Sequence, residues 1–307
     1  MTSSPARLNK ARTLVLGAFA VVWFTEAALW SVRPLSEVWS RFWQMFPPDD
    51  AQLATGLYLT HAVEAAAKSA LGVLAVYALQ SRTPFVRSAL FVPMALVPTL
   101  NVLFRFRAEG FPLRSTLIGA TLSVILWDTF FLLKDRAAPG LVTGVPSRPR
   151  TLAADSLQNA WFALNALVLT MASALFLFTP DAALRLAFPC FSSLVDVARA
   201  VPSSLTLAGL GVGTHLTAVA TATWVAVACT RTHAAVRQAV TAANIVHAAL
   251  LCVLPLAQLG RETGRDCATN SLLIYSVPLL ASWLAYAAFF NRTGSGERVS
   301  LTHPAGH

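Results

Sequence analysis

The sequence predicts an all-α integral membrane protein: a polytopic bundle of about eight transmembrane helices, arranged as two parallel four-helix repeats. Three observations lead there. Of 307 residues, 56% are apolar and only 12% charged, and the mean hydropathy is +0.60; a soluble domain carries about a quarter charged residues. Apolar stretches recur at roughly 20 residues, the length that crosses a bilayer as a helix. The two halves of the chain also echo each other in order. The composition excludes a secreted disulfide scaffold, a disordered tail and an ordinary cytosolic enzyme. The net charge of +9 is scattered through short connecting segments. No Arg/Lys stripe with interleaved aromatics occurs, so the charge reads as membrane topology and no nucleic-acid partner is expected.

Eight stretches qualify as spans, at about 13–32, 54–80, 86–104, 115–134, 156–178, 203–229, 234–258 and 270–290. The first follows Arg7, Lys10 and Arg12, but it is too long for a signal peptide and no convincing cleavage site follows it. Eight spans put both termini on one side. The segments on that side hold 13 Lys/Arg against 9 on the other, which predicts both termini in the cytoplasm. The sequon Asn291-Arg292-Thr293 then lies on the cytoplasmic side, hard against the last span, and no glycan is expected. After the first span, Pro34 begins a stretch with Trp39, Phe42, Trp43 and Phe46 at i, i+3, i+4, i+7. This is one apolar face of a helix with a proline in its first turn, suited to the interface. A loop packed over the bundle mouth is the alternative. Pro180 begins a weaker counterpart.

The longest connection, about 135–155, is rich in Pro, Gly and Arg and splits the spans four and four. The expected organisation is a first repeat over 1–135, a cytoplasmic linker over 136–155, a second repeat over 156–291 and a tail over 292–307. Thr60-His61 opens the second span and Thr214-His215 the sixth. Pro98-x-x-Asn101 recurs as Pro255-x-x-Gln258, and Ser123-Val124 as Ser276-Val277. Trp127 and Phe130-Phe131 reappear as Trp283 and Phe289-Phe290. An even number of spans per repeat makes the repeats parallel.

Within the first half, the run NVLFRFRAEGFPLRSTLIGATLSVILW places a short polar, glycine-containing turn between the third and fourth spans. With its hydropathy layout, this four-helix unit resembles the DoxX-like membrane proteins, the second half more loosely. The resemblance implies a four-helix membrane unit, in a family with some members associated with quinone-linked redox systems. It carries no catalytic residue over to this chain.

A charged side chain at the centre of a span costs about 2.5–3.5 kcal/mol on insertion scales. Four lie more than one turn from either end of a span, all in the first half: Glu26, Glu64, Lys68 and Asp128. His61, Glu64 and Lys68, at spacings of three and four, share one helix face, and Tyr58 lies a turn earlier on it. They form either an intrahelical ion pair that fixes helix rotation or a polar pocket that moves protons. Glu26 has no cation on its own helix, and its neighbours at minus three and plus four are Trp23 and Trp30. Desolvation between indoles would keep such a carboxyl protonated and make it an acid. Asp128 stands beside Trp127. For both acids the alternative is a neutral or bundle-paired carboxyl that meets Lys68 or Arg105 across helices. The second half has neutral polar groups instead (Asn165, His215, Asn244, His247, Gln258), read as bridges between helices.

Metal signatures are missing: the four cysteines form no C-x-x-C pair and the six histidines are dispersed. Cys190 and Cys267 fall in loops on the non-cytoplasmic side and are a candidate disulfide if that side is oxidising; Cys229 and Cys252 read as packed helix residues. No Walker loop, Rossmann fingerprint, nucleophile elbow or H-E-x-x-H occurs, and no cofactor is expected. The first functional reading is an intramembrane acid–base enzyme acting on a lipophilic molecule, an isoprenoid, sterol or quinone, in contact with membrane lipid. Its candidate catalytic residues are Glu26, Asp128, His61 and Glu64, with Trp23, Trp30, Tyr58, Lys68, Asn101 and Trp127 lining the substrate. A proton-coupled transporter and a non-catalytic accessory subunit are the alternatives.

Overall fold

The computed structural model describes residues 5–32, 51–81, 83–105, 117, 119–127, 152–187, 202–229, 234–259 and 266–293. Every regular element among the described residues is an α-helix. In chain order these are α1 (Pro5–Val32), α2 (Ala51–Gln80), α3 (Pro84–Arg105), α4 (Leu152–Phe178), α5 (Pro180–Ala187), α6 (Pro202–Ala228), α7 (Ala234–Leu259) and α8 (Asp266–Thr293). Residues 119–127 are helical as well. Within these helices, five stretches are long and apolar enough to cross a membrane: Leu59–Gln80, Phe85–Phe104, Ser156–Phe178, Ala208–Ala228 and Ala234–Leu254. Thr13–Glu26 and Leu273–Phe289 are shorter apolar stretches. The expected helix at 34–46, the linker up to residue 151, Asp128, Cys190 and the tail beyond residue 293 lie outside the described residues, while 152–155 open α4 and 292–293 close α8.

Helices α2 and α6 form the centre. The Leu59–Gln80 stretch is 78% buried, against 28% for Ser156–Phe178 on the outside. Composition accounts for the difference. The buried positions of α2 include Ala62, Ala65, Ala66, Ala67, Ala70, Ala75 and Ala78, small side chains that let helix backbones approach without lipid between them. Around this centre α1 packs on α2, α4 on α6, α3 on α6, α7 on α2 and α8 on α7. Helix α1 meets α2 where the Phe24 ring covers Gly72; a Cβ there would lie 3.0 Å from the ring.

Large apolar side chains face outward: Val21 and Val22 on α1, Leu167, Val168 and Met171 on α4, Ile274, Val277 and Phe289 on α8. A water-soluble bundle would expose a large contiguous apolar surface at such positions, and a lipid-facing one needs it. Several hydroxyls inside the helices are satisfied locally. Thr99, Thr170, Thr217, Thr221 and Thr223 each donate to the carbonyl four residues earlier, the arrangement that makes hydroxyls tolerable in hydrocarbon.

At the end of the bundle where α6 finishes and α7 starts, Arg237 ties three helices together. Its guanidinium donates to Gln158 Oε1 at 2.9 Å, to Asn159 Oδ1 and to the Ala226 carbonyl at 3.2 Å. It also lies 5.8 Å over the Phe162 ring. Beside it, Trp161, Phe162, Trp283 and Tyr286 pack edge-to-face and stacked, with centroids 5.4–6.0 Å apart.

Candidate functional site

The site is built around one carboxylate. The spacing of three and four on α2 places His61, Glu64 and Lys68 on one face, and all three are buried. Glu64 Oε2 accepts from His61 Nδ1 at 3.1 Å, and Oε1 accepts from Lys68 Nζ at 2.9 Å. The expected i, i+4 ion pair is therefore present, with the imidazole added to it.

Two further helices bring groups to this face. From α1, Glu26 reaches Lys68 and binds its ammonium. The antiparallel packing of α1 on α2 explains the register: Phe24 seats on Gly72, so Glu26 arrives one turn away at Lys68. Of the two readings for Glu26, a lone carboxyl between indoles or an acid paired across the bundle with Lys68 or Arg105, the structure has the pairing with Lys68. Its Trp23 neighbour is buried and packs against Phe19 at 4.9 Å, rather than facing an open pocket. The side chains of Trp30 and Tyr58 lie outside the described residues.

From α6, His215 Nδ1 stands 3.5 Å from Glu64 Oε1 and 2.7 Å from the Gly211 carbonyl oxygen. A carbonyl only accepts, so Nδ1 carries the hydrogen. Thr214 Oγ1 donates to the same carbonyl at 2.9 Å and lies 3.3 Å from Asn101 Oδ1 on α3. Glu26, Lys68, Glu64, His215, Thr214 and Asn101 thus form a polar chain across the bundle, with His61 as a branch. It runs from the half-buried Glu26, 26% exposed, to the half-buried Asn101.

The electrostatics follow from the count. Two carboxylates and one ammonium carry a formal charge of −1 with both imidazoles neutral. One proton on either His61 or His215 brings the cluster to zero. A buried cluster with that option suits proton transfer. Toward the Arg237 end most buried neighbours are apolar (Ala70, Leu71, Leu74, Ala75 and Ala78 on α2, Leu90, Phe91 and Met94 on α3, Ala222 and Ala226 on α6), with Ser69, Thr223 and Asn244 as neutral polar groups among them.

The remaining candidates fall elsewhere. Trp127 donates its indole N–H to Thr99 Oγ1 at 2.9 Å, and Thr99 shares a 2.6 Å hydrogen bond with Ser123. His247 is buried on α7 with Nδ1 unpartnered, and its ring bonds the backbone of Ala66. Asn244 bonds the Val240 carbonyl at 2.9 Å. Cys229 and Cys252 are buried free thiols; of the candidate disulfide, Cys190 lies outside the described residues and Cys267, expected in a loop, falls instead in the first turn of α8. Among the described residues no group of three or more His, Cys, Asp or Glu is placed to hold a metal ion.

Three members of the site carry no functional signal of their own in the sequence: His215 reads as a bridge between helices, Thr214 as an echo of Thr60, and Gly211 as one glycine of a helix. The available signal was the run Gly209-x-Gly211-x-Gly213 directly before Thr214-His215, since close-packed glycines just ahead of a polar pair mark a tight helix contact. No family model, no curated protein and no solved structure matches the chain.

Proposed function

We propose that the chain is an intramembrane acid–base enzyme that moves a proton onto or off a lipophilic substrate of isoprenoid, sterol or quinone type. The observation that carries this reading is the extent of the polar chain. It reaches half-buried positions at Glu26, beside the lipid-facing α1, and at Asn101 on α3, and gives way to mostly apolar packing toward the Arg237 end. A carrier needs a route to both membrane faces; an enzyme fed from the lipid phase needs only lateral access. Glu26 exchanges a proton with the substrate, Lys68 and Glu64 pass it inward, and His61 and His215 hold it. General acid–base groups of this kind contribute about 10²–10⁴ in rate.

The reading includes eight spans with both termini cytoplasmic, as two parallel four-helix units akin to the DoxX-like layout. Two pairings support the repeat. Helix α2 packs on α7 as α3 packs on α6, and α1 on α2 as α4 on α6. Thr99 bonds Ser123 as Cys252 bonds Ser276, the second pair lying 153 residues after the first at both positions.

The test uses purified protein in proteoliposomes prepared in D2O with panels of isoprenoids, sterols and quinones. Wild type is expected to introduce deuterium into one class, and Glu26→Gln to lose that labelling. Absence of label in every class would remove the enzyme reading.

One observation favours a proton-coupled carrier as the second reading: His61 and His215, equivalent in the two proposed units, flank the same carboxylate. Charge movement on a pH jump, accompanied by solute uptake and no deuterium labelling, would support it instead.

A further inference from the structure

We infer that Gly211 is a positioning residue, which sets where the Glu64 carboxylate stands and which nitrogen of His215 faces it; its role in turnover rests on the acid–base reading above. A Cβ built at Gly211 would lie 3.0 Å from Glu64 Cδ, 3.0 Å from Oε2 and 3.1 Å from Oε1. The carboxylate therefore sits directly over a bare Cα. A carboxylate at the end of a free side chain would swing aside at little cost. This one is held by Lys68 at 2.9 Å and His61 at 3.1 Å, so any retreat lengthens those contacts.

The same residue acts through its carbonyl. The Gly211 oxygen accepts from His215 Nδ1 at 2.7 Å and from Thr214 Oγ1 at 2.9 Å. One backbone unit thus receives the carboxylate of α2 on its open side and orients the imidazole and hydroxyl of α6. The neighbouring glycines do something else. A Cβ at Gly213 would meet Leu177 Cγ at 2.7 Å, and one at Gly209 would meet Pro180 Cβ at 2.8 Å. Those two bring α6 onto α4 and α5, while Gly211 faces α2.

The described ionisable and polar groups that face this spot include Glu26 on α1, His61 and Lys68 on α2, Asn101 on α3, and Thr214 and His215 on α6. On α7 the nearest described imidazole, His247, bonds the backbone of Ala66.

The experiment compares wild type, Gly211→Ala, Gly213→Ala and the double variant Gly211→Ala/Glu64→Asp in detergent and in proteoliposomes. Difference infrared titration reads the carboxylate band, and deuterium labelling reads turnover. Gly211→Ala is expected to stay folded, to move the carboxylate titration midpoint by about half a pH unit or more, and to lower labelling at least about tenfold. The shorter aspartate makes room for the added methyl, so the double variant recovers part of both. Gly213→Ala is expected to cost thermal stability without moving the midpoint. An unchanged midpoint in Gly211→Ala, or an equal shift in Gly213→Ala, would overturn the inference. Should wild type show no labelling, the acid–base reading fails, while the titration still decides the role of Gly211.

Discussion

Lys68 Nζ lies between two carboxylates from different helices, Glu64 at 2.9 Å on its own helix and Glu26 on α1. One ammonium therefore neutralises a helix face and fastens α1 to the centre of the bundle. Breaking a buried pair costs more than the pair contributes, because the remaining charge stays desolvated.

Lys68→Met should destabilise the protein by about 3–5 kcal/mol, read as a lowered thermal unfolding midpoint in detergent. Adding Glu64→Gln to Lys68→Met should recover part of that loss. Equal or greater loss in the double variant would mean that the ion pair is not what stabilises this face.

Glu26→Gln should fold and keep a hydrogen bond to Lys68, because the side chain is half-buried and the amide is isosteric. Deuterium labelling should fall by about 10²–10⁴-fold, with the unfolding midpoint little changed. Retained labelling would move the catalytic assignment away from Glu26.

Arg237→Ala removes three hydrogen bonds that join α4, α6 and α7. A loss of about 1.5–3 kcal/mol is expected, since the donor is charged. The pH profile of labelling should not move, because the change lies at the opposite end from Glu64. A shifted profile would show that the two ends communicate.

Trp127→Phe removes the indole donor to Thr99 and leaves the Thr99–Ser123 hydrogen bond. The expected cost is about 1 kcal/mol, with labelling unaffected. A loss of labelling would place Trp127 at the substrate after all.

Cys229 lies just past the Ala208–Ala228 stretch, and its burial pushes the thiol pKa up, partly opposed by the Arg237 guanidinium. A raised pKa means less thiolate at neutral pH, and thiolate is the reactive form. Maleimide should therefore leave Cys229 unmodified at pH 7, with modification rising only in alkaline buffer. Fast labelling at pH 7 would contradict the burial.

The sequence was most informative where contacts are local. His61, Glu64 and Lys68 lie within two turns of one helix, so helical spacing alone brings them together. The Glu26–Lys68 pair joins positions 42 apart, and nothing in either helix encodes which face meets which. Glu26 consequently read as a lone acid, with pairing to Lys68 or Arg105 as the alternative. His215 read as structural for the same reason, because its value comes from α6 facing α2. The membrane character was legible from composition, since lipid-facing and core positions are both apolar and cannot be told apart by hydropathy. That same uniformity conceals helix order, which is why the neighbours of Glu64 could be guessed only within α2.

The buried, alanine- and leucine-lined face of α2 from Ala70 to Ala78 has a bearing on cellular energetics. Apolar packing of this kind is a poor path for ions, so a membrane voltage drops largely across it. If the Glu64 cluster exchanges protons with a substrate in the lipid phase, as proposed, turnover carries no net current through the bilayer, and its rate is expected to be indifferent to the membrane potential.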